Sequence, residues 1–149
     1  MEWIRKLRGT IVGLDTAPLI YFIEKHQAYL PLVRPFFEAV ELGDIQAVTS
    51  TLTLTEVLVH PYRLGNRSLG QQYSRILLHS RNLKTLPVSA AIAAEAARLR
   101  AAHGLKTPDS IQVATAQLSN ATAFLSNDTG IASIPGLELI LLDRLLTPP

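Results

Sequence analysis

The stretch Thr10-Ile11-Val12-Gly13-Leu14-Asp15-Thr16 decides how the rest of the chain is read. A short apolar run closed by a carboxylate and a hydroxyl residue reads as a buried strand whose end delivers an acid to the surface of the core. Three further runs share the pattern of an apolar segment bounded by turn residues. They are 45–49 after Gly43-Asp44, 121–125 before Ser126-Asn127-Asp128, and 137–142 after Pro135-Gly136. A weaker fifth, 83–88, follows Ser80-Arg81-Asn82.

Between these runs the spacing becomes helical. Within 89–103, Ile92, Ala96 and Leu99 share a face and Gly104 supplies the stop. Thr107-Pro108 opens another helix, with proline in the first turn and Ile111, Ala114 and Leu118 on one side. Helices are also predicted over 35–42, over 52–59 with Pro61 ending it, over 68–79, and over 18–24 directly after the first strand. Strands alternating with helices require crossover connections. The expected fold class is therefore α/β, a single domain over 1–149 with a central, mostly parallel sheet of four to five strands flanked by helices on both faces. The sequence shows no repeat, low-complexity tract or linker, and Pro148-Pro149 reads as a tail.

Composition bounds the chemistry. A chain of 149 residues that is 48% hydrophobic and 17% charged has the size of one domain and enough apolar surface for a packed core. With no cysteine, disulfides, thiolate zinc sites, cysteine-held clusters and cysteine nucleophiles are excluded, so any metal must be held by oxygen or imidazole. Glu95, Arg98, Gln112 and Gln117 break the longest Ala- and Leu-rich stretches below the length of a membrane span. The run 10–14 is too short for the apolar region of a signal peptide, and a cytoplasmic location is expected. The net charge of +2 is uneven: between Val57 and Pro108, eight basic residues from Arg63 to Lys106 stand against one acid, Glu95. Solvated faces of amphipathic helices account for such a run; gathered on one surface, the same charges attract a polyanion.

Sites in open parallel sheets form beyond the carboxyl ends of the strands. Asp15 ends the first strand, Asp128 follows the fourth, Asp109 lies in the first turn of the helix before that fourth strand, and Glu56 lies on the helix after the second. The chain has only five aspartates, which leaves Asp44 and Asp143 as turn or surface residues. Each candidate acid has an ordinary explanation: Asp15 as a helix cap, Asp109 as a dipole partner, Asp128 as a turn former, Glu56 as a solvated helix residue. Gathered at one end of a sheet, however, they repel one another unless a cation neutralises them. Hard divalent ions such as Mg²⁺ or Mn²⁺ select carboxylate and water oxygens, and a site of that kind accepts phosphodiesters. His26, His60, His79 and His103 share no metal-ligand spacing and are assigned to no metal.

With these residues in place, the sequence resembles the PIN-domain nucleases and, within them, the VapC-like toxins of bacterial and archaeal toxin–antitoxin pairs. The motifs that carry the resemblance are Leu14-Asp15-Thr16 followed by Pro18-Leu19-Ile20-Tyr21, Thr53-Leu54-Thr55-Glu56-Val57-Leu58, Leu105-Lys106-Thr107-Pro108-Asp109-Ser110-Ile111 followed by Ala114-Thr115-Ala116, and Phe124-Leu125-Ser126-Asn127-Asp128. Their order and spacing cover about 10–143. The resemblance implies a metal-dependent endoribonuclease in which Asp15, Glu56, Asp109 and Asp128 match the acidic quartet around Mg²⁺ or Mn²⁺. Thr16 matches a hydroxyl residue that orients water or phosphate, or caps the local backbone. Asn127 is expected to hold a neighbouring carboxylate or to serve the turn. Arg63 and Lys106, each flanking an acidic motif, are the basic candidates for the substrate. The family often places Asn two residues after its first Asp, where this chain has Ala17; one polar contact is lost there and no metal ligand. The implied partners are an RNA substrate, a small antitoxin covering the acidic cleft, and a second copy in a homodimer.

Two other classes compete. A catalytically inactive PIN-like module that binds RNA or protein would gain nothing from clustered negative charge. A phosphatase of the haloacid dehalogenase type generally requires a second Asp where Ala17 stands.

Overall fold

The structure is a computed structural model that describes residues 1–146, so the Pro148-Pro149 tail lies outside the described residues. In chain order the elements are α1 (Glu2–Leu7), β1 (Ile11–Leu14), α2 (Thr16–Ile23), α3 (Leu30–Leu42), β2 (Gln46–Ser50), α4 (Thr51–Leu64) and α5 (Arg67–His79). They continue with β3 (Leu83–Leu86), α6 (Ala90–His103), α7 (Thr107–Leu118), β4 (Ala123–Ser126), β5 (Glu138–Leu141) and α8 (Leu142–Leu146). The five strands form one sheet in the order β3-β2-β1-β4-β5, and every pairing is parallel. The α/β class, the parallel sheet and all five strands match the expectation from sequence.

The two faces of the sheet carry separate cores. Val12, Leu14 and Leu125 pack with Leu19, Phe36 and Tyr73 of the helices between β1 and β3. On the other side Phe124 packs with Ala96, Leu99, Val113 and Ala116 of α6 and α7, joined by Ile131 and Ile134 from the segment leading to β5. The chain builds outward from β1 to β3, then returns across the sheet to β4 and β5. A reversal of direction with right-handed crossovers moves the connections to the opposite face, which accounts for the two cores. Among the described residues no helix is long and apolar enough to cross a membrane.

Three features depart from the sequence reading. The helix predicted over 35–42 begins at Leu30: Pro31, not Pro35, is the first-turn proline, and Pro35 lies one turn inside. The helix predicted over 52–59 is not ended by Pro61; it runs to Leu64 and stops at Gly65, whose φ of 64° forms a left-handed cap. Pro61 removes one backbone donor from the helix, but its ring is buried against the neighbouring helix at Gly70, which offsets that loss. The short helices α1 and α8 carry too few turns to show a period.

Gly13 explains how α7 reaches the sheet. A Cβ at this position would stand 2.5 Å from Cβ of Ala116 and 2.8 Å from Cδ1 of Phe124, so only glycine lets the helix lie directly on β1. Because α7 carries Asp109, this close approach also sets the position of an acid. Gly13→Ala should lower stability by about 1–3 kcal/mol, the usual cost of overpacking. Urea unfolding followed by circular dichroism measures it, and an unchanged midpoint would show that α7 is free to move off β1.

Candidate active site

Strand order places the reversal of direction between β1 and β4, and in such sheets the crevice opens where the connections leave for opposite faces. Asp15 leaves β1 there as the N-cap of α2, its Oδ1 accepting from Thr16 N at 2.9 Å. Its Oδ2 accepts from Ser126 Oγ at 2.7 Å, across the gap at the end of β4. Ser126 Oγ in turn accepts from Asp128 N at 3.0 Å, so one hydroxyl holds both strand ends in register. Asp128 is exposed, and its Oδ1 accepts from Gly130 N at 2.8 Å, the turn-forming bond expected of an Asp in this setting.

A polar network, exposed at Glu56 and buried from Thr53 inward, brings in α4 and α7. Thr16 Oγ1 donates to Glu56 Oε1 at 2.6 Å and lies 3.3 Å from Thr53 Oγ1. Thr53 Oγ1 is also 2.8 Å from Thr49 Oγ1 and accepts from Gln112 Nε2 at 2.7 Å. The Gln112 carbonyl takes a bond of 2.9 Å from Ser50 Oγ, and Thr49 Oγ1 donates to the Leu14 carbonyl at 2.9 Å. Gln112 is 3% exposed, so both ends of its amide need partners and both have them. Through this chain of bonds Glu56 is tied to β1, β2 and α7 together.

Asp15, Thr16, Glu56, Asp109, Gln112 and Asp128 line a single cleft of about 270 Å³. No Lys, Arg or His among the described residues lines it. Burial raises the Asp15 carboxyl above its ordinary range, opposed by the bonds from Ser126 and Thr16 N and reinforced by the charges of Glu56 and Asp128. Asp109 is pushed up to about 6, first by burial, then by the charges of Asp128 and Asp15 and by a hydrogen bond shared with Asp128, with Lys106 pulling the other way. Among the described residues, no three His, Asp or Glu side chains are drawn close enough to enclose an ion as they stand.

The structure sorts the remaining candidates. Thr16 lines the cleft and is committed to Glu56. Lys106 immediately precedes α7 and is exposed, near enough to favour the charged form of Asp109. Arg63 lies outside the cleft lining, exposed in the last turn of α4, two turns beyond Glu56. Asn127 turns away from the acids: its Nδ2 donates to the Tyr21 hydroxyl at 3.3 Å and its Oδ1 accepts from Asp143 N at 2.9 Å. Ser126, one residue earlier, holds the carboxylate instead. Sequence reasoning passed over Ser126, Thr53 and Gln112. A signal for two of them was present, because Gln112 follows Asp109 by three and Thr53 precedes Glu56 by three, the spacing that shares a helix face.

The family profile of the PIN domain matches residues 12–137. The chain belongs to the PIN-domain family. No curated protein matches it by sequence. Among solved structures, VapBC2 from Rickettsia felis bound to a promoter DNA fragment superposes with a TM-score of 0.68 at 20% identity, covering 88% of this chain and 98% of that one. A toxin–antitoxin complex from Klebsiella pneumoniae gives 0.62 at 25% identity, covering 87% and 95%. VapC20 from Mycobacterium tuberculosis, a toxin that cleaves the sarcin–ricin loop, gives 0.62 at 14% identity, covering 77% and 87%. This PIN domain therefore has a VapC-like fold over nearly all of its length.

The raised Asp109 carboxyl makes the metal-free PIN domain sensitive to pH. Its folded pKa, about 6, exceeds the ordinary 3.8, so the associated stability is complete below 3.8 and is lost as pH rises through about 6. Asp109→Asn should raise the melting temperature in EDTA at pH 7 to 8, with the gain over wild type vanishing near pH 4. Scanning calorimetry across that range measures the difference, and a variant no more stable than wild type at pH 8 would contradict the assignment.

Proposed function

We propose that this PIN domain is a metal-dependent endoribonuclease that hydrolyses RNA phosphodiester bonds in the cytoplasm, as the toxin of a VapBC-type pair. One observation carries the reading: Asp15, Glu56, Asp109 and Asp128, from four distant segments, line one cleft at the carboxyl edge of the sheet with no cationic side chain among the described residues lining it. The donor set is all oxygen, which suits Mg²⁺ or Mn²⁺. Mg²⁺ keeps several waters and needs only one or two carboxylates directly, so a closed cage of side chains is not required. The four acids would hold the cation, and the chemistry it supplies is Lewis acidity, which strengthens water as a nucleophile at neutral pH and offsets charge developing on the phosphate.

The remaining work belongs to the chain itself. Ser126 and the Thr16 amide fix both oxygens of Asp15, and the Thr16 hydroxyl fixes Glu56, so these carboxylates are oriented before a substrate arrives. Thr16, whose hydroxyl is committed to Glu56, lines the cleft and is assigned to the approach of the phosphate. Lys106 beside Asp109 and Arg63 beyond Glu56 are assigned to the RNA backbone on either side, where Lys and Arg bind phosphate without reading sequence. Asn127 is not assigned to the substrate, because its amide is committed to the Tyr21 hydroxyl and to Asp143 N. Water forms the new P–O bond as the P–O3′ bond breaks and the 3′ oxygen leaves with a proton, giving a 5′-phosphate and a 3′-hydroxyl. The toxin role is supported by the Klebsiella pneumoniae toxin–antitoxin complex at 25% identity, and the antitoxin partner and homodimer belong to the same reading.

Purified protein incubated with labelled cellular RNA and Mn²⁺ tests it. Wild type should cleave, EDTA should abolish cleavage, and Asp15→Asn or Asp109→Asn should reduce it at least about a hundredfold with the fold intact, because Lewis-acid stabilisation is worth several kcal/mol. Sequencing of the cut ends checks the products. Cleavage that persists in EDTA would overturn the mechanism.

A further inference from the structure

Tyr21, His26 and Tyr29 form an aromatic cluster outside the acidic cleft. The two tyrosine rings stack with centroids 4.4 Å apart at 18°, and the His26 ring lies 4.8 Å from each. Its origin is the way α2 ends. His26 N donates to the Tyr21 carbonyl at 2.9 Å around Lys25, whose φ of 54° is left-handed. This type of helix end places the side chain after the left-handed residue against the one five positions earlier, here His26 against Tyr21. Glycine would hold that position without strain, yet the chain has an exposed lysine. His26 Nδ1 accepts from Ala28 N at 3.1 Å and Tyr29 N at 3.3 Å, so the ring is fixed in place.

The cluster is latched to the edge of the cleft. Asn127, which immediately precedes Asp128, donates to the Tyr21 hydroxyl, and the Tyr29 hydroxyl donates to Asp143, whose amide donates to Asn127. Tyr21 also shares α2 with the residues that follow Asp15, about 9 Å along the axis at 1.5 Å per residue. The tyrosines are half-buried and His26 is exposed. None of the exposed large hydrophobic residues of the chain falls between 21 and 29, so the surface offers aromatic rings flanked by polar groups and not the aliphatic patch of a protein-docking face.

The geometry points to a stacking platform: we infer that His26, backed by Tyr21 and Tyr29, stacks on an unpaired base of single-stranded RNA running past the edge of the cleft, with Lys25 beside a backbone phosphate. Unpaired bases are bound in this way, largely without regard to sequence, on aromatic side chains held within a positively charged path. The inference rests on the nuclease reading above and adds a subsite that the acids do not supply.

The probe is a single-stranded oligoribonucleotide carrying 2-aminopurine, whose fluorescence is quenched when the base stacks, added to protein in an Asp15→Asn background that blocks cleavage. Quenching on binding is expected, with affinity at least about fivefold weaker both in His26→Ala and in His26→Asn, which keeps a side-chain acceptor for the Ala28 and Tyr29 amides but offers no ring. Circular dichroism confirms the fold of each variant, and His26 is exposed, so truncation leaves no cavity. Absence of quenching, or equal affinity and quenching in His26→Ala, overturns the platform. The two readings fail separately: cleavage by wild type without base stacking removes the platform alone, whereas stacking without Mn²⁺-dependent cleavage removes the catalytic reading and leaves the platform.

Discussion

Like charges at the end of a parallel sheet set the terms for everything around them. Parallel strands send their carboxyl ends to one edge, and the helices that follow begin there, so acids at strand ends and helix starts converge without further design. Helix N-termini soften the repulsion: Asp15 caps α2 and Asp109 sits in the first turn of α7, where the partial positive charge favours an anion. The softening is incomplete. Both carboxyls remain shifted upward, with burial the largest cause and the neighbouring acids adding to it, so helix dipoles and hydrogen bonds together do not balance the site. A divalent cation has the charge and hardness to do so.

Holding such a set apart, yet aimed at one cleft, requires rigid supports, and these are neutral. Thr49, Ser50, Thr53 and Gln112 are buried, and each hydrogen-bonds to another member of the network or to the end of β1. Their bonds cross the end of the sheet and join α4 on one face to α7 on the other. A fully satisfied network of this kind specifies one arrangement, because breaking any member strands another polar group away from water. Gly13 serves the same purpose from below by letting α7 sit against β1.

Much of this was legible in the sequence because it follows from spacing. The strands announced themselves as short apolar runs between turn residues, and Asp15 and Asp128 as the polar residues that close two of them. Supports were harder to read. Gln112 looks like any polar residue of an amphipathic helix until the opposing element is known, and Ser126 looks like part of a turn until Asp15 is seen across the gap. Prolines mislead in the other direction: Pro35 and Pro61 look like helix boundaries in the sequence, whereas each lies inside a helix that tertiary packing sustains. Arg63 flanks an acidic motif in sequence, but the rise of α4 carries it away from the cleft.

The end of β4 shows how one strand serves two neighbours. Successive side chains along a strand point to opposite sides, and the alternation persists into the residue that follows it. Ser126 therefore falls on the face of Phe124, where its hydroxyl reaches Asp15, while Asn127 falls on the face of Leu125 with Tyr21 and the start of α8. An asparagine beside an acid in sequence invites the guess that it holds a carboxylate, but the pleat assigns that task to the serine. Asp128 then leaves the strand with its backbone amide on Ser126 and its carboxylate in the cleft. A shift of one residue in this register would exchange the roles, putting an amide on the face of Asp15 and a hydroxyl on the face of Tyr21. The pairing of Val12 with Ala123 and of Leu14 with Leu125 fixes that register and, with it, which side of the strand end faces the acids.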